Sequence, residues 1–201
     1  MGEEVKRIKR ELKYRGTILD MYCDHVEVNG HIAKWDYLQH KGAAAVIPVT
    51  KEGKILMVRQ YRNALDRYTL EIPAGALDTQ EEPGKECAAR ELEEETGFRS
   101  ENLEWLITLR TAVAFCNERV EVYVAKNLIL SKQNLDEDES IDVEAYTMEE
   151  LKEKIFSGEI EDSKTIASLM SYAVKNESII GWTLHIMKYP RLECERREVD
   201  M

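Results

Sequence analysis

Alternation of apolar and polar residues dominates the first half of the chain, and this period of two is typical of strands with one buried face. Residues 1–13 are an exception: they are charged and weakly patterned, and they predict a lead-in segment or a short helix. Asn29 and Gly30 separate two extended segments, and both tolerate the positive φ of a tight hairpin turn. We predict strands at residues 17–23, 25–28, 31–38, 42–49, 55–61, 68–72, 103–110, 120–125 and 143–146.

Helices are indicated where the alternation stops. In the first of them Ala88 and Leu92 recur at i+4, Pro83 suits the first helical position, and Gly97 suits the residue just beyond the end. Ser163 is the predicted N-cap of the last one. We predict helices at residues 82–96, 148–156 and 163–175.

The order of these elements bears on the fold class. Strands and helices follow one another without a regular strand-helix-strand repeat, which favours an α+β fold with a mixed sheet over a doubly wound fold. The early hairpin predicts an N-terminal antiparallel β appendage at residues 1–40, followed by a single larger domain at 41–176. Residues 177–201 form a C-terminal tail without a functional interpretation, in which 179–184 are either a strand or a packing strap.

Charge narrows the classes of function. With 39 acidic and 28 basic residues the net charge is −11, which argues against binding nucleic acid by phosphate neutralisation. No apolar run approaches the roughly 20 residues needed to span a bilayer, and the charged start lacks the apolar stretch of a secretory signal. We therefore expect a cytoplasmic protein without a membrane partner. A polyanionic substrate would need divalent cations bound to the carboxylates.

Three glutamates of the first predicted helix form the strongest candidate site. Glu91, Glu94 and Glu95 stand at i, i+3 and i+4, so they share one stripe of the helix, where like charges repel. Bound Mg²⁺ would reverse that repulsion, because hard cations take carboxylate ligands. The alternative is a solvated acidic face. The turn at Pro73, Ala74 and Gly75 before the helix favours the site, since its backbone is open to close approach.

The segment from Gly75 to Phe98 carries a specific resemblance. Its second half reads Arg-Glu-Leu-Glu-Glu-Glu-Thr-Gly-Phe from Arg90, and it resembles the Nudix box at every specified position. Eight residues instead of seven separate Glu81 from Arg90, whereas Glu82 has the right spacing to Arg90 but lies one residue too far from Gly75. The resemblance implies a Nudix-type α/β/α sandwich with a mixed sheet, so that residues 41–176 become a Nudix hydrolase domain.

The resemblance also implies roles for the box residues. Glu91, Glu94 and Glu95 would bind Mg²⁺, or Mn²⁺ as a substitute, and the carbonyl of Ala74 would add a ligand. The metal ions would polarise a diphosphate and activate a water. Arg90 would orient a glutamate through a charge-assisted hydrogen bond.

Substrate-binding candidates lie outside the box. Arg59 and Arg62 are candidates for the diphosphate, with Arg62 favoured by the resemblance; the alternative is an exposed arginine paired with an acidic neighbour. Trp35 and Tyr37 offer faces for stacking a purine across a homodimer, as the appendage of ADP-ribose pyrophosphatases does, or else belong to the core.

Three acidic residues complete the predicted site. Within residues 136–140 related enzymes carry a mobile glutamate that acts as a base, and Glu139 is the first candidate, with Glu137 next. A solvated acidic loop is the alternative. Glu118 is a candidate substrate contact, in a loop where Val113 and Ala114 stand in place of the proline-glycine pair usual in ADP-ribose pyrophosphatases.

The resemblance to ADP-ribose pyrophosphatases spans roughly residues 17–176 and implies hydrolysis of a nucleoside diphosphate sugar, with ADP-ribose giving AMP and ribose 5-phosphate as the leading reaction. UDP-sugars, GDP-mannose and other nucleoside diphosphate derivatives are alternatives. A Nudix-like sensor that binds without turnover, or an acidic interaction domain, is a different class of answer. Metal-dependent turnover distinguishes these alternatives.

Overall fold

The computed structural model describes residues 5–135 and 139–176. Twelve strands and three helices lie within these residues. The strands are β1 (Lys6–Arg15), β2 (Asp20–Val28), β3 (His31–Gln39), β4 (Ala43–Pro48), β5 (Ile55–Arg62), β6 (Arg67–Glu71), β7 (Ala74–Ala76), β8 (Phe98–Arg99), β9 (Asn102–Arg110), β10 (Arg119–Lys126), β11 (Ile129–Leu130) and β12 (Ile141–Tyr146). The helices are α1 (Gly84–Thr96), α2 (Met148–Phe156) and α3 (Ser163–Asn176).

The N-terminal part of the chain forms a three-stranded antiparallel sheet in the order β1-β2-β3. Its second hairpin turns at Asn29 and Gly30, whose φ angles of 54° and 76° confirm the predicted turn. The expectation of a lead-in or short helix at residues 1–13 is wrong, because β1 begins at Lys6 and pairs with β2. Two register irregularities interrupt the alternation in β1, which hides the strand in the sequence.

A mixed sheet in the order β7-β4-β10-β9 forms the centre of the following part. β4 runs parallel to β10 and antiparallel to β7, while β9 is antiparallel to β10. A second sheet, in the order β12-β5-β6, is antiparallel throughout. The mixed sheet is the one that the sequence pattern predicts.

β4 is buried on both of its faces, and this explains its unbroken apolar sequence. Ala45 and Ile47 enter a cluster that also contains Leu151 of α2 and Leu169 of α3. Ala44 and Val46 enter the opposite cluster, which contains Ala88 and Leu92 of α1. The helices therefore cover opposite sides of the mixed sheet, as in an α/β/α sandwich.

Helix ends agree with the sequence except at two N-termini. Gly97 ends α1 with a φ of 72°, whereas Pro83 is the N-cap instead of the first helical residue. At α3 the predicted N-cap Ser163 is wrong, because Oδ2 of Asp162 accepts a hydrogen bond from the backbone N of Thr165 at 2.9 Å. The carboxylate one residue earlier satisfies the free N–H group and complements the helix dipole.

Segment 111–118, which precedes β10 of the mixed sheet, forms backbone hydrogen bonds with β3 of the N-terminal sheet. The backbone N of Leu38 donates to the carbonyl of Phe115 at 2.7 Å, and the N of Asn117 donates to the carbonyl of Leu38 at 3.2 Å. Within the described residues we find no helix that is both long enough and apolar enough to cross a membrane. The prediction for residues 179–184 lies outside the described residues.

Candidate active site

The carboxylate stripe of α1 lies against the short strand β7. Glu91 and Glu95 are 8% and 3% exposed, while Glu94 is half-buried. A Cβ added to Gly75 would lie 2.0 Å from Oε1 of Glu91, so the carboxylate occupies the space that a side chain would take. Oε2 of Glu95 accepts a hydrogen bond from the backbone N of Ala74 at 3.0 Å. A glycine at position 75 is therefore what lets Glu91 approach the turn.

Burial dominates the electrostatics of this stripe. It raises the pKa of Glu91 to about 7, although the charge and hydrogen bond of Arg90 act in the opposite direction. It raises the pKa of Glu95 to about 8, and the negative charge of Glu91 adds to the effect. Glu139 lies near enough that its charge contributes to both increases. A divalent cation would reverse these effects, because it favours the ionised carboxylates.

Arg90 holds the carboxylates in place. Its Nη1 donates to Oε1 of Glu91 at 2.6 Å and to Oε2 of Glu94 at 3.0 Å, and its Nη2 donates to the carbonyl of Ala76 at 3.1 Å. The orienting role that the sequence predicts for Arg90 would act through these hydrogen bonds. Glu82 lies on the other side of the guanidinium, with Oε1 at 3.5 Å from Nε.

The extra residue in the box lies in the loop before α1. Oε2 of Glu82 accepts from the backbone N of Asp78 at 2.6 Å, whereas Glu81 is exposed. The glutamate that faces Arg90 is therefore Glu82, the one separated from it by seven residues, and the insertion lengthens the loop between Gly75 and Glu82.

The donors at this site fit a hard divalent cation. They are carboxylate oxygens of α1, and Glu91 lies directly against the backbone of Gly75 because that residue has no side chain. As the side chains are placed in residues 5–135 and 139–176, no three acidic, histidine or cysteine side chains converge closely enough to hold a metal ion. Nη1 of Arg90 binds one oxygen of Glu91 and one oxygen of Glu94, so a metal ion held here would be bound by the other oxygen of each carboxylate.

A cavity of 560 Å³ adjoins the stripe across β7. Its walls are the hairpin of β5 and β6, the beginning of α3, and segment 111–118, and its lining includes Ala74 and Gly75. Arg62 lines it, with Nε and Nη2 each 2.7 Å from an oxygen of Glu71. Arg59 does not line it: its Nε lies 2.6 Å from Glu144, on the opposite face of β5.

Of the other predicted residues, some line the cavity and others do not. Glu118 lines it and accepts a hydrogen bond from Thr111. Trp35 is 49% exposed, which contradicts a core position, and Tyr37 is half-buried with the guanidinium carbon of Arg10 3.5 Å from its ring centre. Trp35 and Tyr37 do not line the cavity within one chain. Glu137 lies outside the described residues.

The cavity residues that the sequence analysis did not name as candidates include His40, Glu71 and Lys164. The backbone N of Gly42 donates to Nδ1 of His40 at 3.1 Å, and the same nitrogen lies 3.6 Å from Oε1 of Glu118. The signal for Glu71 was present, since a charged residue between Leu70 and Ile72 in a buried strand requires a partner.

A family model of the NUDIX domain matches residues 39–169, which include the carboxylate stripe and the cavity residues. The chain belongs to the Nudix family. This confirms the resemblance, and the chain is a Nudix pyrophosphohydrolase. Hydrolases of this family generally use divalent metal ions.

Curated relatives of this Nudix hydrolase cover most of its length. The methanol dehydrogenase activator of Bacillus methanolicus is 44% identical over 170 residues, which are 83% of this chain and 91% of the relative. The ADP-ribose pyrophosphatase of Bacillus subtilis (strain 168) is 40% identical over 175 residues, which are 86% and 94% of the two chains. The crystal structure of an ADP compounds hydrolase superposes with a TM-score of 0.76 at 18% identity, over 94% of this chain and 99% of that one, and confirms the fold.

Proposed function

We propose that this Nudix hydrolase cleaves the diphosphate of ADP-ribose to AMP and ribose 5-phosphate in the presence of Mg²⁺, with Mn²⁺ as a substitute. The observation that carries the proposal is the adjacency of the buried carboxylates Glu91 and Glu95 to a cavity lined by Arg62. The ADP-ribose pyrophosphatase of Bacillus subtilis, at 40% identity, supports the choice of substrate.

The residues of the stripe and the turn beside it would bind the metal ion, and Arg90 would orient them. Glu91, Glu94 and Glu95, with the carbonyl of Ala74, would hold the metal ion. When bound, it neutralises the diphosphate and lowers the pKa of a coordinated water. Arg90 sets the direction of Glu91 and Glu94 through the bonds described above.

The remaining groups act on the substrate. Arg62 grips the diphosphate, and Glu118 contacts the substrate from the opposite wall. Glu139 takes a proton from the attacking water. The water oxygen bonds to one phosphorus, and the bond from that phosphorus to the bridging oxygen breaks, so that the bridging oxygen leaves with the other phosphate. Glu137 is the second candidate for this base. Arg59 has the weaker case as a diphosphate contact, because Glu144 holds it outside the cavity.

The products identify the reaction directly. We expect purified protein with ADP-ribose and Mg²⁺ to release AMP, detected by chromatographic separation of nucleotides, and chelation of Mg²⁺ to abolish the release. Glu94→Gln, which removes one proposed ligand charge, should lower the rate at least about tenfold. Glu104→Gln, an exposed glutamate on β9, is the matched control.

A panel of UDP-sugars and GDP-mannose under the same conditions tests the alternatives. If one of these compounds has a larger kcat/KM than ADP-ribose, that compound is the preferred substrate. Tight binding of ADP-ribose without any product would instead support a sensor.

We further propose that the protein is a homodimer in the cytoplasm and has no nucleic-acid partner, as its charge of −11 favours. The dimer contact is the N-terminal sheet, which exposes large apolar side chains along β1 and β3. They include Ile8, Leu12, Ile32 and Trp35. In the dimer, Trp35 and Tyr37 would stack on the base of a nucleotide bound in the partner's cavity.

Trp35→Ala is expected to raise KM for ADP-ribose about tenfold and to leave kcat within about twofold, since base stacking on an aromatic ring contributes roughly 1–3 kcal/mol. Steady-state kinetics measure this, and light scattering after gel filtration gives the oligomeric state. Trp105→Ala is the control, because Trp105 is 57% exposed on β9 and does not line the cavity. A monomeric wild type, or equal effects of both variants, would refute the stacking role.

A further inference from the structure

Two cations contact the same buried carboxylate on the wall of the cavity. Oε1 of Glu71 accepts hydrogen bonds from Nε of Arg62 and from Oγ1 of Thr69, both at 2.7 Å. Oε2 accepts from Nη2 of Arg62 at 2.7 Å and contacts Nζ of Lys164. The Glu71 side chain is 3% exposed. Each of its oxygens therefore has two donors, and no direction is left open for the carboxylate to rotate.

This arrangement determines where Arg62 points. Glu71 binds the side of the guanidinium that carries Nε and Nη2, and no described hydrogen bond uses Nη1. The Arg62 side chain is 39% exposed and lines the cavity. The orientation of the Glu71 carboxylate thus sets the direction in which Nη1 is presented to a bound anion.

Lys164 is itself fixed by the start of α3. Its Nζ donates to Oδ2 of Asp162 at 2.9 Å, and the same carboxylate accepts from Oγ1 of Thr165 at 2.6 Å. Oγ1 of Thr165 in turn accepts from the backbone N of Ile72 at 3.1 Å. The ammonium is held on a helix that is bonded to the backbone immediately before the Pro73 turn. A group supported in this way can hold another within a few tenths of an ångström.

We propose that Lys164 is a positioning residue of this hydrolase, which locks the Glu71 carboxylate so that Nη1 of Arg62 is directed at the diphosphate of the substrate. The inference rests on the proposed function, because it takes the diphosphate to lie in this cavity. Without the ammonium, Oε2 of Glu71 loses one donor and the carboxylate can turn. Arg62 then binds the diphosphate less well in the ground state and the transition state alike, which raises KM and leaves kcat nearly unchanged.

A double-mutant cycle tests whether Lys164 acts through Arg62. Lys164→Met removes the charge and keeps the chain length, Arg62→Met removes the guanidinium, and both are combined in the double variant. Arg62→Lys replaces Arg62→Met if the latter does not fold. Lys175→Met, at the exposed end of α3 and outside the cavity, is the matched control. The measurements are KM and kcat for ADP-ribose with Mg²⁺, the melting temperature, and calorimetric binding of ADP-ribose without divalent metal.

The expected result is a rise in KM of about tenfold for Lys164→Met with kcat within about twofold, partial recovery in Lys164→Arg, and no change for Lys175→Met. The double variant should be no worse than Arg62→Met alone. Additive effects would mean that Lys164 acts independently of Arg62 and would overturn the inference. A lower melting temperature with unchanged KM would also overturn it, since that is the signature of a purely structural contact.

Binding without metal separates this inference from the proposed function. A wild type that yields no AMP but shows the expected pattern of dissociation constants would refute the hydrolysis of ADP-ribose and leave the role of Lys164 intact. A wild type that neither binds ADP-ribose without metal nor releases AMP from it with Mg²⁺ overturns both.

Discussion

Gly75→Ala is expected to lower turnover of ADP-ribose about 10²-fold or more while the protein remains folded. The added Cβ would lie 2.0 Å from Oε1 and 2.2 Å from the carboxyl carbon of Glu91. Atoms do not approach so closely, so the carboxylate must move by about 1 Å, and misplacement by that distance near the reacting groups has an effect of this size. Gly75 is not among the glycines with positive φ, so alanine fits its backbone.

The stability of this variant should change little, because the group that moves is the end of a flexible side chain. Gly53→Ala is a control with the opposite pattern. Its Cβ would meet nothing within 4 Å, but its φ of +79° disfavours alanine. It should lose about 1–2 kcal/mol of stability and keep full activity. AMP release and thermal unfolding of both variants measure the contrast, and wild-type turnover in Gly75→Ala would show that Glu91 is not needed where it lies.

Glu71→Gln is expected to have the largest effect on stability, a loss of about 3–5 kcal/mol at pH 7. The substitution leaves Arg62 and Lys164 without their shared anion in a place where the carboxylate is 3% exposed. Unfolding in urea at pH 7 measures the loss. Glu161→Gln is the control, since Glu161 pairs with Arg67 at the surface and an exposed pair contributes about 0–1 kcal/mol.

The contribution of Glu71 to the stability of the folded protein is expected to depend on pH. Burial alone would raise its pKa, but the hydrogen bonds and charges of Arg62 and Lys164 outweigh burial and lower the pKa from 4.5 to about 2. A carboxyl group with a lowered pKa stabilises the folded state above its unfolded pKa, and this contribution is lost as the pH falls towards the folded value. The stability difference between wild type and Glu71→Gln should therefore narrow between about pH 4.5 and 2. A difference that stays constant over that range would contradict the ion-pair account.

Local rules were enough to predict the carboxylate stripe and its helix. The stripe of Glu91, Glu94 and Glu95 follows from helical spacing alone, and the structure places Glu91 and Glu95 against the turn at Ala74 and Gly75. Gly97 follows in the same way, because a helix end in the left-handed region favours glycine. Contacts between residues within about one helical turn of each other depend only on neighbouring positions, so they can be predicted from the spacing of residues in the sequence.

Contacts between distant segments were not predictable in this way. Glu71 and Lys164 are 93 positions apart, and the spacing of residues does not indicate that both meet Arg62. β1 was missed for a related reason. Its strand conformation depends on pairing with β2, and the irregular register removes the period of two on which the prediction relied.

The loop between Gly75 and Glu82 has a consequence for how such proteins are recognised. α1 begins at Gly84, and Glu91 and Glu94, which bind Arg90 from within the helix, keep a fixed distance from it along the helix axis. Glu82 contacts Arg90 from two residues before the helix begins. Loop length before Glu82 can change without moving these glutamates, because a surface loop absorbs an inserted residue at small cost. A signature counted backwards from Arg90 would tolerate such insertions, whereas one counted forwards from the glycine would assign the wrong glutamate.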